Sequence, residues 1–109
     1  MKVTFLLNDI ITIQEVKIYQ QYLIINKKIS KDLLIDMYKD AIEKNVIPVI
    51  SKKLNISELY ILSNLSINIF YSNVGSFFYV SFEDHTKNNI IISYLIKNYK
   101  SLTLFERII

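Results

Sequence analysis

The chain has 109 residues, a formal net charge of +3 and 51% hydrophobic content, enough apolar material for one domain with its own core over 1–109. It has no Cys, which excludes disulfide scaffolds, thiolate metal sites and thiol chemistry and fits a reducing compartment. The positive excess is almost all Lys, with Arg107 the single Arg, so the planar forks that usually read bases and clamp phosphates are scarce.

In chain order, Met1 to Leu7 alternates loosely, which allows an N-terminal strand. Thr12 and Glu15 have capping-box spacing and favour a helix start near Ile13. The β-branched and aromatic run that follows alternates in part as a strand would, so Ile10 to Asn26 stays open between the two, with a slight lean to helix. Ser30 is a good N-cap, and Asp32 sits where a helix dipole favours an anion. Leu33, Leu34, Met37, Tyr38, Ala41 and Ile42 then fall on one face, predicting a helix over about 31–44. Pro48 suits the first turn of a second helix, about 48–54, and Asn55 suits a left-handed turn. Ser57 would cap a third, about 58–66. The period then changes to two. Ile67, Ile69 and Tyr71 alternate with polar or aromatic neighbours, Gly75 supplies a turn, and Phe78, Val80 and Phe82 alternate again. Ile90, Ile92, Tyr94 and Ile96 read as a third strand, apolar on both faces. Leu102 to Glu106 suits either a fourth strand or a closing helix. The expected fold is α+β, with central helices followed by a C-terminal antiparallel β-meander.

Ile50, Leu54, Ile56, Ile61 and Leu65 hold the packing positions of two short helices around the Asn55 turn, with a hairpin after them. Residues 50–65 thus resemble the helix-turn-helix of bacterial regulators. The resemblance implies a recognition helix at about 58–66, a dimer on duplex DNA, and Lys52, Lys53, Tyr60, Ser63 and Asn64 as contacts. Asn64 would read adenine, and Tyr60 or Ser63 would hold phosphate. Against it, the second helix carries no Lys or Arg, and Glu58 opens it with the wrong sign for phosphate. The competing expectation is a corner that only packs.

Asp32, Asp36 and Asp40 recur every four residues and would form an acidic stripe on the exposed side of the first clear helix. Like charges at that spacing cost a few tenths of a kcal/mol, so the stripe is a candidate docking surface for a protein, set against a merely solvated face. His85, beside Glu83 and Asp84, is a weak base or metal-ligand candidate in what reads as a polar hairpin loop. Lys27, Lys28 and Lys31 cluster beside the Ser30 cap, where a helix start can hold an anion. Tyr19, Tyr22, Tyr71, Phe77 and Tyr79 divide between core and contact surface. No nucleophile motif or Gly-rich phosphate loop is present, so no catalysis, metal or cofactor is expected.

The apolar run Val3 to Leu7 is stopped by Asn8 and Asp9, too short for a secretory segment. Leu59 to Phe82 is uncharged but broken by Ser63, Asn64, Ser66, Asn68, Ser72 and Asn73, so no membrane span is expected. The abundance of Ile, Lys, Asn and Tyr, with Ala41 the only Ala, suggests AT-rich coding, as in low-GC bacteria and their phages or plasmids. The resulting expectation is a cytoplasmic, non-enzymatic, homodimeric interaction domain of the inhibitor, immunity or adaptor kind, binding an unidentified protein. The alternative is a dimeric winged helix-turn-helix regulator.

Overall fold

The computed structural model describes residues 1–11, 30–72 and 77–101. The architecture is α+β. In order it runs β1 (Lys2–Leu6), α1 (Leu7–Ile10), α2 (Lys31–Asn45), α3 (Ile47–Leu54), α4 (Glu58–Asn64), β2 (Leu65–Ser72), β3 (Phe77–Asp84) and α5 (Ile90–Asn98).

The helix boundaries have local causes. The Ser30 hydroxyl accepts the Leu33 N–H at 3.1 Å and starts α2, which buries Tyr38, Ala41 and Ile42. Val46 still donates to the Ile42 carbonyl at 2.9 Å. Pro48, in the first turn of α3, has no N–H with which to continue that ladder, so the chain restarts as a new helix. Asn55 ends α3 in the left-handed region, at φ 55° and ψ 46°. The Ile56 N–H closes back on the Ser51 carbonyl at 3.1 Å, the six-to-one bond of a Schellman turn. Ser57 then accepts the Tyr60 N–H at 3.0 Å and starts α4.

The three described strands are antiparallel, in the order β1-β3-β2. Val3 faces Phe82, Phe5 faces Val80, and Ile69 faces the same Val80 from the other side. These five side chains are buried and share one face of the sheet. Helices cover that face. Tyr38 of α2 lies 5.9 Å from Phe78, and Tyr99, just past α5, meets Phe5 edge-on at 6.3 Å. The fully buried Ile42, Ile47, Ile50, Ile61, Ile91, Ile92 and Leu95 join the same core.

Two expectations need correction. Residues 90–96 are helical, so among the described residues no third strand follows the hairpin; the third described strand of the sheet is the N-terminal β1, on the far side of β3. The alternating reading failed because Ile91, Ile92 and Leu95 are the buried set, an i, i+1, i+4 stripe, while Ile90 and Ile96 are exposed. In addition, α4 stops at Asn64, two residues early, because Leu65 and Ser66 already pair with Asp84 and Glu83. The open segment at 10–26 lies, from residue 12 on, outside the described residues, as do the Gly75 turn and Leu102 to Glu106.

Candidate functional site

The α3–turn–α4 corner is built as its sequence spacing predicts. Ile50 and Ile61 are fully buried, Leu65 is buried, and Leu54 and Ile56 pack partly against the core. This arrangement leaves α4 with Ile61 as its single buried residue, and it projects the other side outward. Leu59 is 75% exposed and Leu62, three residues on, 41%. Glu58 stands exposed at the head of the same helix. The outward side of α4 therefore carries Leu59 and Leu62 beside Glu58, Tyr60 and Ser63, and no cation.

The proposed DNA contacts divide between two helices. Lys52 and Lys53 are exposed in the last turn of α3. Tyr60, Ser63 and Asn64 lie on α4, but two of their side chains are engaged with the helix itself. The Ser63 hydroxyl donates to the Leu59 carbonyl at 2.7 Å, and the Asn64 amide donates to the Tyr60 carbonyl at 2.9 Å. Reading a base with Asn64 would require breaking that bond. From Asn55 through Thr86 the chain has no Lys or Arg, so neither α4 nor the β2–β3 hairpin supplies a cation.

The acidic stripe is uneven. Asp40 pairs with Lys44 at 3.0 Å. Asp32 and Asp36 are exposed and form no ion pair among the described residues. Lys31 lies 3.8 Å over the Tyr71 ring, a cation–π contact that occupies the one described member of the Lys cluster. Phe77 is exposed, whereas Tyr79 stacks on Phe70 at 5.5 Å and Tyr71 tilts against Phe78 at 5.0 Å.

His85 stands in the connection between β3 and α5, not in a hairpin loop. Its Nε2 lies 2.7 Å from Ser66 Oγ and 3.9 Å from Glu83 Oε1. Sequence reasoning missed this Ser66 contact; the signal for it was the register, which sets Ser66 opposite Glu83. Both neighbours approach the same ring nitrogen. A nucleophile–base–acid relay instead uses the two nitrogens in series, whereas here Ser66 and His85 share one exposed hydrogen bond with the Glu83 carboxylate beside it.

Asp84 is the other residue whose role the sequence concealed. Only 2% exposed, it accepts the Thr86 N–H at 2.8 Å through Oδ1 and the Ile91 N–H at 2.9 Å through Oδ2. Burial pushes its carboxyl up, but the hydrogen bonds from Thr86, Ile91 and Ile92 outweigh this and hold it below its ordinary value of 3.8. It fixes the start of α5 and is structural. Among the described residues no cluster of His, Cys, Asp or Glu suits a metal ion, and no helix is long and apolar enough to cross a membrane.

Comparison with protein-family models, with curated proteins and with solved structures finds no match, so a functional reading rests on the geometry above.

Proposed function

We propose that this chain is a non-enzymatic protein-binding domain of the inhibitor, immunity or adaptor kind, acting in the cytoplasm of a bacterium and carried by a mobile element. The observation that carries the reading is the outward side of α4. A leucine 75% exposed beside a second at 41%, on a helix pinned underneath by Ile61, is a rigid apolar projection. Exposed apolar surface of this kind is favoured at protein contacts, and a short helix already seated on the core through Ile61 loses little freedom on binding. The exposed Glu58, Asp32 and Asp36 would steer a basic partner without adding much affinity. The same α4 side is also the natural contact for a two-fold homodimer.

The second reading, a winged helix-turn-helix, is favoured by the Asn55 turn, the Ser57 cap and the following hairpin. It is disfavoured by the missing cations, since phosphate neutralisation normally dominates DNA affinity.

The test is affinity capture from the host of origin with wild-type protein and with Leu59→Asp and Asp36→Lys variants, followed by purification of what is retained. A protein that binds wild type directly, and binds Leu59→Asp at least about tenfold more weakly, supports the reading; that ratio is about 1.4 kcal/mol. Equal retention by both would sink it. Sedimentation at micromolar concentration checks the dimer, and a monomeric mass there would overturn that part.

A further inference from the structure

The outer strands β1 and β2 each keep one edge unpaired among the described residues, and the two edges differ. β1 is five residues long, carries Lys2 and turns into α1 at Leu7. Shortness and a lysine are common protections of an exposed edge. β2 is eight residues long, LSINIFYS, with no charge, no Pro and no Gly. We infer that β2 pairs antiparallel with β2 of a second copy of this chain, across a two-fold axis at Ile69.

Hydrogen bonds fix which backbone groups of β2 face outward. The His85 N–H donates to the Asn64 carbonyl at 2.8 Å, one step beyond the paired ends of β2 and β3. Antiparallel pairs alternate between those that exchange hydrogen bonds and those that do not. Counted from Asn64 and His85, Ser66, Asn68 and Phe70 bond to β3, while Leu65, Ile67, Ile69 and Tyr71 turn their N–H and C=O groups away from it. Asp84 agrees with this phase: opposite Leu65, it donates its N–H to the Met1 carbonyl on the other side, at 2.9 Å. Leu65 gives its outward N–H to the Ile61 carbonyl at the end of α4. Ile67, Ile69 and Tyr71 have no backbone partner on their outward side among the described residues. A row of open donors and acceptors on an uncharged strand is a template for another strand.

The open groups select both the occupant and the register. A two-fold axis normal to the sheet sets β2 antiparallel to itself, so each outward residue meets an outward residue of the copy. With the axis at Ile69, Ile69 exchanges bonds with Ile69 of the second copy, and Ile67 with Tyr71 on either side. Every outward group of the three residues is then used. A slip toward the start of β2 sets Tyr71 against Leu65, whose N–H is already bonded to Ile61. A slip the other way carries Ile67 past the last residue of the strand, Ser72. The side chains agree with the same register. Half-buried Ile67 meets Tyr71 on the helix-covered face, an aromatic pair with a β-branched residue. On the other face Asn68 stands opposite Phe70, and no charge is brought against another. The edge is a separate place from α4 for a two-fold contact, and it joins the described strands of two copies into one sheet.

The experiment is sedimentation equilibrium of the full chain from micromolar to millimolar concentration, with Ile67→Pro and Leu59→Asp beside wild type. Ile67→Pro removes an outward N–H and keeps the β3 ladder, because that N–H does not face β3. It should weaken the dimer at least tenfold with the circular dichroism unchanged, whereas Leu59→Asp should leave it within about twofold. A second measurement does not need the proline to be tolerated. The chain has no Cys, so Asn68→Cys and Phe70→Cys proteins can be mixed and oxidised. The register sets these positions opposite each other, so the mixed disulfide should form at least fivefold faster than either like pair. A monomer throughout the series, a dimer as tight with Ile67→Pro as without it, or a dimer lost only in Leu59→Asp overturns the edge contact. Equal rates for mixed and like pairs overturn the register. Capture of a different protein through α4 is read separately, so the docking reading stands or falls on its own.

Discussion

The Asp84 carboxylate, at the last residue of β3, accepts the backbone N–H of Ile91, in the first turn of α5, at 2.9 Å. The Ile92 N–H points at the same oxygen at 3.4 Å, and Asn89, the residue before the helix, makes no side-chain cap of its own. A carboxylate seven residues upstream therefore does the work of an N-cap and ties the sheet to the helix. Asp84→Ala should lose about 2–3 kcal/mol of folding stability, because charged hydrogen bonds to buried amides vanish and those amides stay buried. Urea denaturation at neutral pH measures it; a loss within about 0.5 kcal/mol, as for an ordinary surface change, would refute the role.

The same carboxylate sets a pH dependence. Its folded-state pKa is lowered from 3.8, so as acid is added the unfolded chain takes up this proton first. The stabilisation is complete above the ordinary value and is lost as pH falls through the lower, folded one. Wild type should thus lose stability more steeply than Asp84→Asn below pH 3.8 and in parallel with it above pH 5 or so. Denaturation midpoints of the two proteins at stepped pH test this, and parallel curves throughout would show that Asp84 titrates normally.

What the sequence disclosed follows from how local each signal is. Ser30, Asn55 and Ser57 act within three or four residues of themselves, so cap, turn and cap were legible and their hydrogen bonds are present. The hairpin was legible because β2 and β3 are adjacent in sequence and alternate in step. The pairing of β1 with β3 was not, because Val3 and Phe82 are brought together by the whole fold and leave no local mark. The α5 error has the same origin. "NIIISYLIKN" fits both periods, and the capping carboxylate that selects the helix lies upstream in a stretch that reads as loop. The α4 surface was half legible: Tyr60 and Ser63 were expected at the surface as contacts, but the exposure of Leu62 and the internal bonds of Ser63 and Asn64 were not.

Asn55 tests the turn. At φ 55° any residue with a β-carbon pays in sterics, and Asn is among the few that tolerate it. Asn55→Gly should be neutral or slightly stabilising in the folded state, and Asn55→Ala should cost about 1 kcal/mol. Thermal melts of the two variants decide; an Ala variant as stable as wild type would mean that the left-handed turn is not held in solution.

Ile61 and Leu59 sit two residues apart on α4 and should separate stability from binding. Ile61 is fully buried, so Ile61→Ala should cost about 2–5 kcal/mol through lost burial and the cavity left behind. Leu59 faces solvent, so Leu59→Ala should change stability by no more than about 0.5 kcal/mol. A large stability loss at Leu59 would show it packed against the molecule's own surface and remove the projecting face on which the docking proposal rests.

Duplex DNA is the remaining discriminator. A protein that neutralises phosphates releases counterions, so its affinity falls steeply with salt, and even non-specific binding reaches about 10⁻⁴ to 10⁻⁶ M at physiological salt. Here the would-be recognition helix offers Glu58 and two leucines, and the hairpin offers no cation at all. Lys52 and Lys53 alone would give a log–log salt slope of about −2 at most, whereas a regulator contacting six or more phosphates gives about −5 or steeper. Fluorescence anisotropy with a mixed-sequence duplex should show no saturable binding at physiological salt and, at low salt, only a shallow dependence. That residual should disappear in Lys52→Glu with Lys53→Glu. A steep slope that survives this double change would locate phosphate contacts elsewhere on the chain and place the regulator reading ahead of protein docking.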